Sequence, residues 1–375
     1  MMEMSHMEDR PRREDLLKKP IKMLDLSSEM SIGDLVNGFS DTSFQARKIA
    51  ECVDIYGEML DRNHGKPMTI FMGLSGSVIA AGLRKVISDM IRLRFVDVLV
   101  TTGAVVYQDF YQSMGYGHYR GDPRTDDNML HSHMIDRIYD TYVDEEKFRE
   151  CDIKIGRIME GTGGGRFSTR QFLSILGEHC LHERDSILGN AYKEGVPIYC
   201  PAISDSSIGI GLATAFKRGR EEGVSVEDMF SVDTVRDNYE MAQIVNRSSS
   251  TGAIYLGGGV PKNYINDSIV MADMMFPGEF GHDLAFQITM DREQWGGLSG
   301  STLSEAKSWG KIDEKATHSM VHIELSVGLP LIAGAVFELK GWRRRKGPQF
   351  LWNEDRLEAL GLDGEESLAE GGESL

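Results

Sequence analysis

The sequence predicts an α/β protein: a doubly wound, mostly parallel sheet with helices on both faces, preceded by an N-terminal helical arm. Short apolar runs such as Met68-Thr69-Ile70-Phe71-Met72-Gly73 and Phe95-Val96-Asp97-Val98-Leu99-Val100 alternate with stretches of helical periodicity. That alternation describes βαβ units, whose right-handed crossovers build parallel sheet. The runs end in glycine and small hydroxyl residues. Glycine is abundant (41) and proline sparse (10), as many strand-to-helix turns require.

Taken in order, residues 1–30 are polar and charged and read as a loose arm with Leu16, Ile21, Met23 and Leu24 as docking points. Residues 32–60 space Phe39, Phe44, Ile49, Ala50, Val53 and Tyr56 along one helical face, and Asp41 or Thr42 is placed to cap a helix starting near Ser43. Residues 1–60 are therefore arm and helix. A buried strand at 68–73 passes through Leu74-Ser75-Gly76-Ser77 into a helix from Val78 to Ile91, then a strand at 95–100 ending in Thr101-Thr102-Gly103-Ala104. Residues 107–170 are rich in Tyr, His, Asp and Gly with little periodicity. They read as an irregular insertion at an active-site edge or subunit interface, with a helix starting near Gln108 and an irregular stretch over 115–133. A further helix is expected over 168–181.

Alternation then resumes with strands at 198–200, 229–232, 253–256, 284–289 and 320–325. Helices are expected over 209–217, 234–246, from Asn263 onward, and over 329–339. Roughly seven strands without a break favour one large domain over 61–345. The basic run Arg343-Arg344-Arg345-Lys346 reads as a solvated helix end or loop, and the acidic stretch 362–375 as a disordered tail.

A net charge of −17 and a pI near 5.1 argue against nucleic acid as a partner and are compatible with a cationic substrate. The four cysteines lack CxxC pairing, so no zinc site and a reducing compartment are expected. With neither a signal-like apolar region nor a membrane-length run, the expected location is cytoplasmic. His131-Ser132-His133 has no acid or cysteine at a convincing spacing, and no metal is expected.

The dinucleotide fingerprint GxGxxG is absent, and Gly257-Gly258-Gly259-Val260-Pro261-Lys262 is the nearest substitute. Its backbone N–H groups can cradle a phosphate, or it is a tight packing turn. Ser75, Ser77, Thr101 and Thr102 follow their strands in the same way, and Glu324 is placed to accept from ribose hydroxyls. Asp205, Tyr107 and Asp109 are open between helix capping and ligand contact. In Ser308-Trp309-Gly310-Lys311 the lysine stands beside an aromatic wall. The plain reading is a turn with a packed tryptophan and a solvated lysine; the functional one is an amine nucleophile.

These stretches resemble the deoxyhypusine synthases. The likeness runs from about residue 39 to 340. It is carried by Phe71-Met72-Gly73, Val96-Asp97-Val98-Leu99-Val100-Thr101-Thr102, Pro201-Ala202-Ile203-Ser204-Asp205-Ser206-Ser207, Leu256-Gly257-Gly258-Gly259-Val260-Pro261-Lys262 and Ser308-Trp309-Gly310-Lys311-Ile312. The resemblance implies a Rossmann-like NAD-binding fold and a homotetramer with active sites between paired subunits. It also implies NAD-dependent transfer of an aminobutyl group from spermidine through a lysine imine.

On that basis Lys311 matches the imine-forming lysine and Trp309 the wall of the amine pocket. Ser75, Ser77, Thr101, Thr102, Asp205, Gly258, Ser299 and Glu324 match cofactor contacts, with Glu324 in place of the usual aspartate. Ile210 and Leu298 stand where the family has acids, Asn263 where it has a histidine, and Tyr107-Gln108 where it has two glutamates. Each lost carboxylate removes a charge-assisted partner for an ammonium. The expectation is therefore a divergent NAD-dependent transferase, moving an alkylamine group from a polyamine or guanidino-amine donor to an amine acceptor. A homospermidine-type transferase and a catalytically silent NAD-binding homologue are the alternatives. Asp273, Glu279, Asp283, Asp291 and Glu293 are the acids expected to supply any new cation site.

Overall fold

A computed structural model describes residues 12–61 and 67–361. The acidic stretch 362–375 and residues 1–11 of the arm lie outside the described residues. Helix α1 (Arg13–Leu16) is short, and the expected docking points Leu16, Ile21, Met23 and Leu24 are all exposed, Leu24 the least so, with its Cδ1 near Gly38. Helix α2 (Ile32–Phe39) starts at a capping box in which Ser31 and Asp34 satisfy each other's backbone N–H groups. Helix α3 (Phe44–Leu60) has Ser43 at its N-cap without a side-chain bond. The expected caps are used elsewhere: Asp41 pairs with Lys22 and Thr42 donates to the Phe39 carbonyl.

Strand β1 (Thr69–Leu74) is buried on both faces. The turn after it reaches Gly82 at φ +82°, which delays helix α4 (Arg84–Arg92) six residues beyond the expected Val78. Strand β2 (Val98–Thr101) leads straight into α5 (Gly103–Ser113), five residues earlier than expected. That helix is buried almost all round, so it lacks the amphipathic stripe by which a helix is read. Its polar residues are satisfied inside: Asp109 accepts from Arg84, Ser186 and the Ile187 and Leu188 N–H groups, and so caps a neighbouring helix.

The insertion is more regular than its composition implied. Strand β3 (Tyr119–Arg120), helix α6 (Asp127–Ser132), strands β4 (Ile135–Ile138) and β5 (Thr141–Asp144) and helix α7 (Glu145–Glu160) follow. The three strands form an antiparallel sheet in the order β3-β5-β4. Then come β6 (Gly165–Phe167), α8 (Thr169–His179), α9 (Ile187–Glu194), β7 (Ile198–Tyr199), α10 (Ser207–Glu221) and β8 (Phe230–Val232). Strand β8, expected in the main sheet, instead pairs with β6 as a separate parallel ribbon. Its residues are only part-buried or exposed, unlike the fully buried central strands.

The remaining elements are α11 (Thr234–Arg247), β9 (Thr251–Leu256), α12 (Gly259–Met275), β10 (His282–Thr289), α13 (Leu303–Lys307), β11 (Ile312–His322), α14 (Leu325–Leu339), β12 (Gln349–Asn353) and β13 (Arg356–Gly361). Strand β11 begins at Ile312, not 320, and has ended before Glu324. Its first half is largely exposed, which hides it in the sequence.

The main sheet has the order β11-β10-β9-β1-β2-β7 and is parallel throughout. The chain moves outward from β1 through β2 to β7, then returns to the other side of β1 and proceeds through β9, β10 and β11. This is a mostly parallel, Rossmann-like sheet flanked by helices. Ile70, Met72 and Leu74 enter one apolar core while Phe71 enters another across the sheet, the alternation that a strand covered on both faces must show. Leu357 and Leu360 of the β12–β13 hairpin, a segment the sequence left unassigned, join the second core. Arg345, read as solvated, has a side chain only 4 % exposed and is paired with the fully buried Asp97. Among the described residues no helix is long and apolar enough to cross a membrane.

Candidate active site

Chain reversal between β1 and β9 splays their following loops and opens a crevice at the carboxyl edge of the sheet, the place where doubly wound folds take ligands. The crevice has a volume of about 680 Å³. Ser75 and Ser77 line it after β1, Gly257 and Gly258 after β9, Asp291 and Ser299 after β10, and Glu324 after β11. Five of the expected cofactor residues thus come together: Ser75, Ser77, Gly258, Ser299 and Glu324. A Cβ at Gly258 would lie 2.5 Å from the Ser299 Cα, so the two loops close against each other only with glycine there. The Gly258 N–H donates to the Ser75 hydroxyl (2.9 Å) and the Gly259 N–H to that of Ser299 (3.0 Å).

Beneath these loops lies a buried polar network absent from the expected set. Lys262 donates to Gln287 Oε1 (2.8 Å) and to Ser301, while Gln287 Nε2 donates to the Gly257 and Ser299 carbonyls (2.8 Å each). Burial lowers the Lys262 ammonium to about 8, against a smaller opposing influence of Glu305. Glu324 caps α14, accepting from the Ser326 N–H (2.9 Å) and hydroxyl. Burial pushes its carboxyl up, but those bonds and neighbouring backbone N–H groups outweigh this and hold it below the usual value. The turn between β4 and β5, Tyr139-Asp140, supplies another wall together with Thr141 at the start of β5. Nothing in local composition marks that turn as part of the site.

A second constellation forms where α13 ends and β11 begins. Gly310 adopts φ +70°, turning the chain so that Lys311 doubles back beside Trp309. The Lys311 Nζ lies 5.3 Å from the indole centroid and 2.8 Å from Asp267 Oδ1. Asn263, one helical turn before Asp267 on α12, donates to its other oxygen at 2.8 Å. Asp267 was not among the acids expected to face a cation. Asp283 is instead spent on Ser250 and the Thr251 N–H, and Asp291 lies in the crevice. Spacing of four from Asn263 was the available signal, but it gains meaning only once α12 is known to face the 308–311 turn.

The family model for deoxyhypusine synthase matches residues 34–336. The chain belongs to the deoxyhypusine synthase family. It is 40 % identical over 328 residues to "Probable deoxyhypusine synthase 2" of Methanosarcina mazei, covering 87 % of this chain and 92 % of that protein. It is 38 % identical over 350 residues to "Deoxyhypusine synthase-like protein" of Chlorobaculum tepidum, covering 92 % and 97 %. A solved structure from Entamoeba histolytica, described as a deoxyhypusine synthase candidate, matches with TM-score 0.55 and 20 % identity over 85 % of this chain and 97 % of that one. That last likeness shows the fold. Membership makes the chain part of an enzyme family.

The other expected residues are placed differently. Thr101 is buried, and its hydroxyl donates to the Leu74 carbonyl (3.0 Å), a bond that joins β2 to β1 and leaves it outside the crevice lining. Thr102 is the N-cap of α5, and Asp205 sits exposed in the turn before α10, both at the carboxyl edge but not in the crevice lining. Tyr107 and Gln108 are buried; the Tyr107 hydroxyl donates to the Phe148 carbonyl and Gln108 Oε1 accepts from the Ala80 N–H. Ile210 and Leu298 are exposed. Lys311, Trp309 and Asn263 are absent from the lining of the crevice.

Proposed function

We propose that the protein is an NAD-dependent transferase of alkylamine groups in which Lys311 carries the group as an imine. The observation that carries this reading is the Lys311 nitrogen held between the Trp309 ring and the Asp267 carboxylate. An aromatic face beside a cation-bearing nitrogen suits an amine pocket.

The crevice fits a dinucleotide in its donor set. Gly258 and Gly259 stand at the start of the 17-residue α12, whose dipole favours a diphosphate, and their N–H groups hold the Ser75 and Ser299 hydroxyls, which are the donors left to meet it. Glu324, kept ionised by its hydrogen bonds, is suited to accept from ribose hydroxyls. NAD bound there would supply hydride removal from the donor amine and hydride return to the product.

What this chain's own residues do is imine exchange. The neutral Lys311 amine attacks the oxidised carbon of the donor, the bond from that carbon to the departing amine breaks, and the Nζ proton leaves with it. The acceptor amine then attacks the same carbon and frees Lys311. Since the lysine and the crevice are separate within one chain, we propose that a partner subunit's crevice meets Lys311, in a homotetramer with active sites at the dimer interface. Trp309, 68 % exposed in the single chain, would be covered there. The donor is a small cationic amine, a polyamine or guanidino compound. Ile210 and Leu298 offer it no carboxylate, which weighs against ordinary spermidine recognition.

Borohydride trapping with NAD and a panel including spermidine and agmatine should yield a mass adduct on the Lys311 peptide with the true donor. NAD binding without any Lys311 adduct across the panel would overturn the transferase reading in favour of a silent homologue.

A further inference from the structure

We infer, building on the role of Lys311 proposed above, that Asp267 is the fixed counter-ion of the Lys311 nitrogen and holds the positive charge there both before and after the imine forms. Three features on α12 and the 308–311 turn support this. Asp267 Oδ1 lies 2.8 Å from Nζ, well within ion-pair distance. Its other oxygen is tied by the Asn263 amide at 2.8 Å, so the carboxylate cannot rotate away without losing a bond. The lysine side chain is 14 % exposed, which limits solvent as a rival partner, whereas Asp267 at 37 % remains partly screened.

Charge bookkeeping gives the pair its use. A resting ammonium and a protonated imine both place one positive charge on the same atom, so a preset carboxylate serves both without reorganisation. The resting ammonium first gives one proton to solvent; neutral Nζ then attacks the protonated donor imine, the donor nitrogen leaves as a neutral amine carrying a second Nζ proton, and the new imine on Lys311 takes over the positive charge that the donor imine brought. Other charged groups around Lys311 are engaged elsewhere. The Lys307 ammonium of α13 donates to the Glu314 and Ala316 carbonyls, and Asp313 on β11 accepts from the Lys315 N–H. Among the described residues no other carboxylate is within ion-pair distance of Lys311. Asp267 thus supplies an acid at the reacting nitrogen.

The test is labelling with acetic anhydride at a single fixed pH of about 8, read at the Lys311 peptide by mass spectrometry in the full-length protein. A carboxylate beside an amine shields it and holds it in its unreactive, charged form. The Lys311 peptide of Asp267→Asn should therefore label severalfold faster than that of wild type. Asp267→Glu should recover most of the slow labelling, and the Lys307 peptide should label identically in all three proteins. Equal Lys311 labelling rates in wild type and Asp267→Asn would overturn the inference. Labelling needs neither NAD nor an amine donor, so the two readings fail separately. Faster labelling without any donor adduct removes the transferase; a donor adduct without the change in labelling removes the counter-ion.

Discussion

Gly258 shows how a single atom sets the crevice. Adding a Cβ would place it 2.5 Å from backbone at Ser299, which cannot yield as a flexible side-chain tip can. Gly258→Ala should weaken NAD binding at least about tenfold by calorimetry, about 1.4 kcal/mol, while leaving Lys311 labelling by acetic anhydride unchanged. An unchanged NAD affinity would remove this loop from the cofactor site. Asp237 governs a different property. Burial raises its carboxyl to about 7 despite bonds from the Thr169 hydroxyl and N–H. Folded, it holds a proton that the unfolded chain releases near pH 4, so its contribution is greatest at low pH and is lost as pH rises from about 4 to about 7. Relative to Asp237→Asn, the wild type should lose up to about 4 kcal/mol over that window in urea unfolding and no more above pH 8. Parallel pH curves for the two proteins would contradict this. The glycine was legible in the sequence because three glycines after an apolar strand are conspicuous; Asp237 was not, because burial of an acid leaves no mark on its neighbours.

Elements were read best where burial is asymmetric or complete over a short run. Strand β1 and helix α11 fall where the apolar pattern put them. Helix α5 begins earlier than its pattern suggests because its buried face includes Gln108 and Asp109, whose partners come from distant elements. Strand β11 is longer than its pattern suggests for the opposite reason, its first half carrying Asp313, Glu314 and Lys315 on an exposed edge. Glu324 consequently lies past the strand, where it caps a helix and faces the crevice. Thr101 shows the same limit at the site: a hydroxyl after a strand looks like a ligand contact until its neighbour's carbonyl is seen to accept from it. Asp267 shows the converse, a carboxylate that gains a role only through the packing of α12 against the turn before β11.

At the scale of the molecule, Lys311 stands just before β11 at the amino edge of the sheet while the crevice opens at the carboxyl edge, so the site proposed above would be shared by a pair of chains. Assayed with NAD too dilute to fill the Gly258→Ala crevice, co-expressed Lys311→Ala and Gly258→Ala chains should recover roughly a quarter of wild-type activity, since half of random dimers are mixed and each mixed dimer holds one intact site. No recovery in purified mixed oligomers would place both halves in one chain. The same long-range closure bears on how the chain is made. Asp97 stands at the entry to β2, accepts from the Ile70 N–H, and is completed by Arg345, 248 residues later. At a synthesis rate of about 5–20 residues per second, the nascent chain waits on the order of 10–50 s between emergence of the acid and of its guanidinium. Through that interval Asp97 has the Ile70 N–H and, at 3.8 Å, Arg94 of its own βαβ unit, but not its closest guanidinium. The C-terminal segment therefore acts as a latch: the centre of the sheet, among the first parts to be translated, is among the last to be locked.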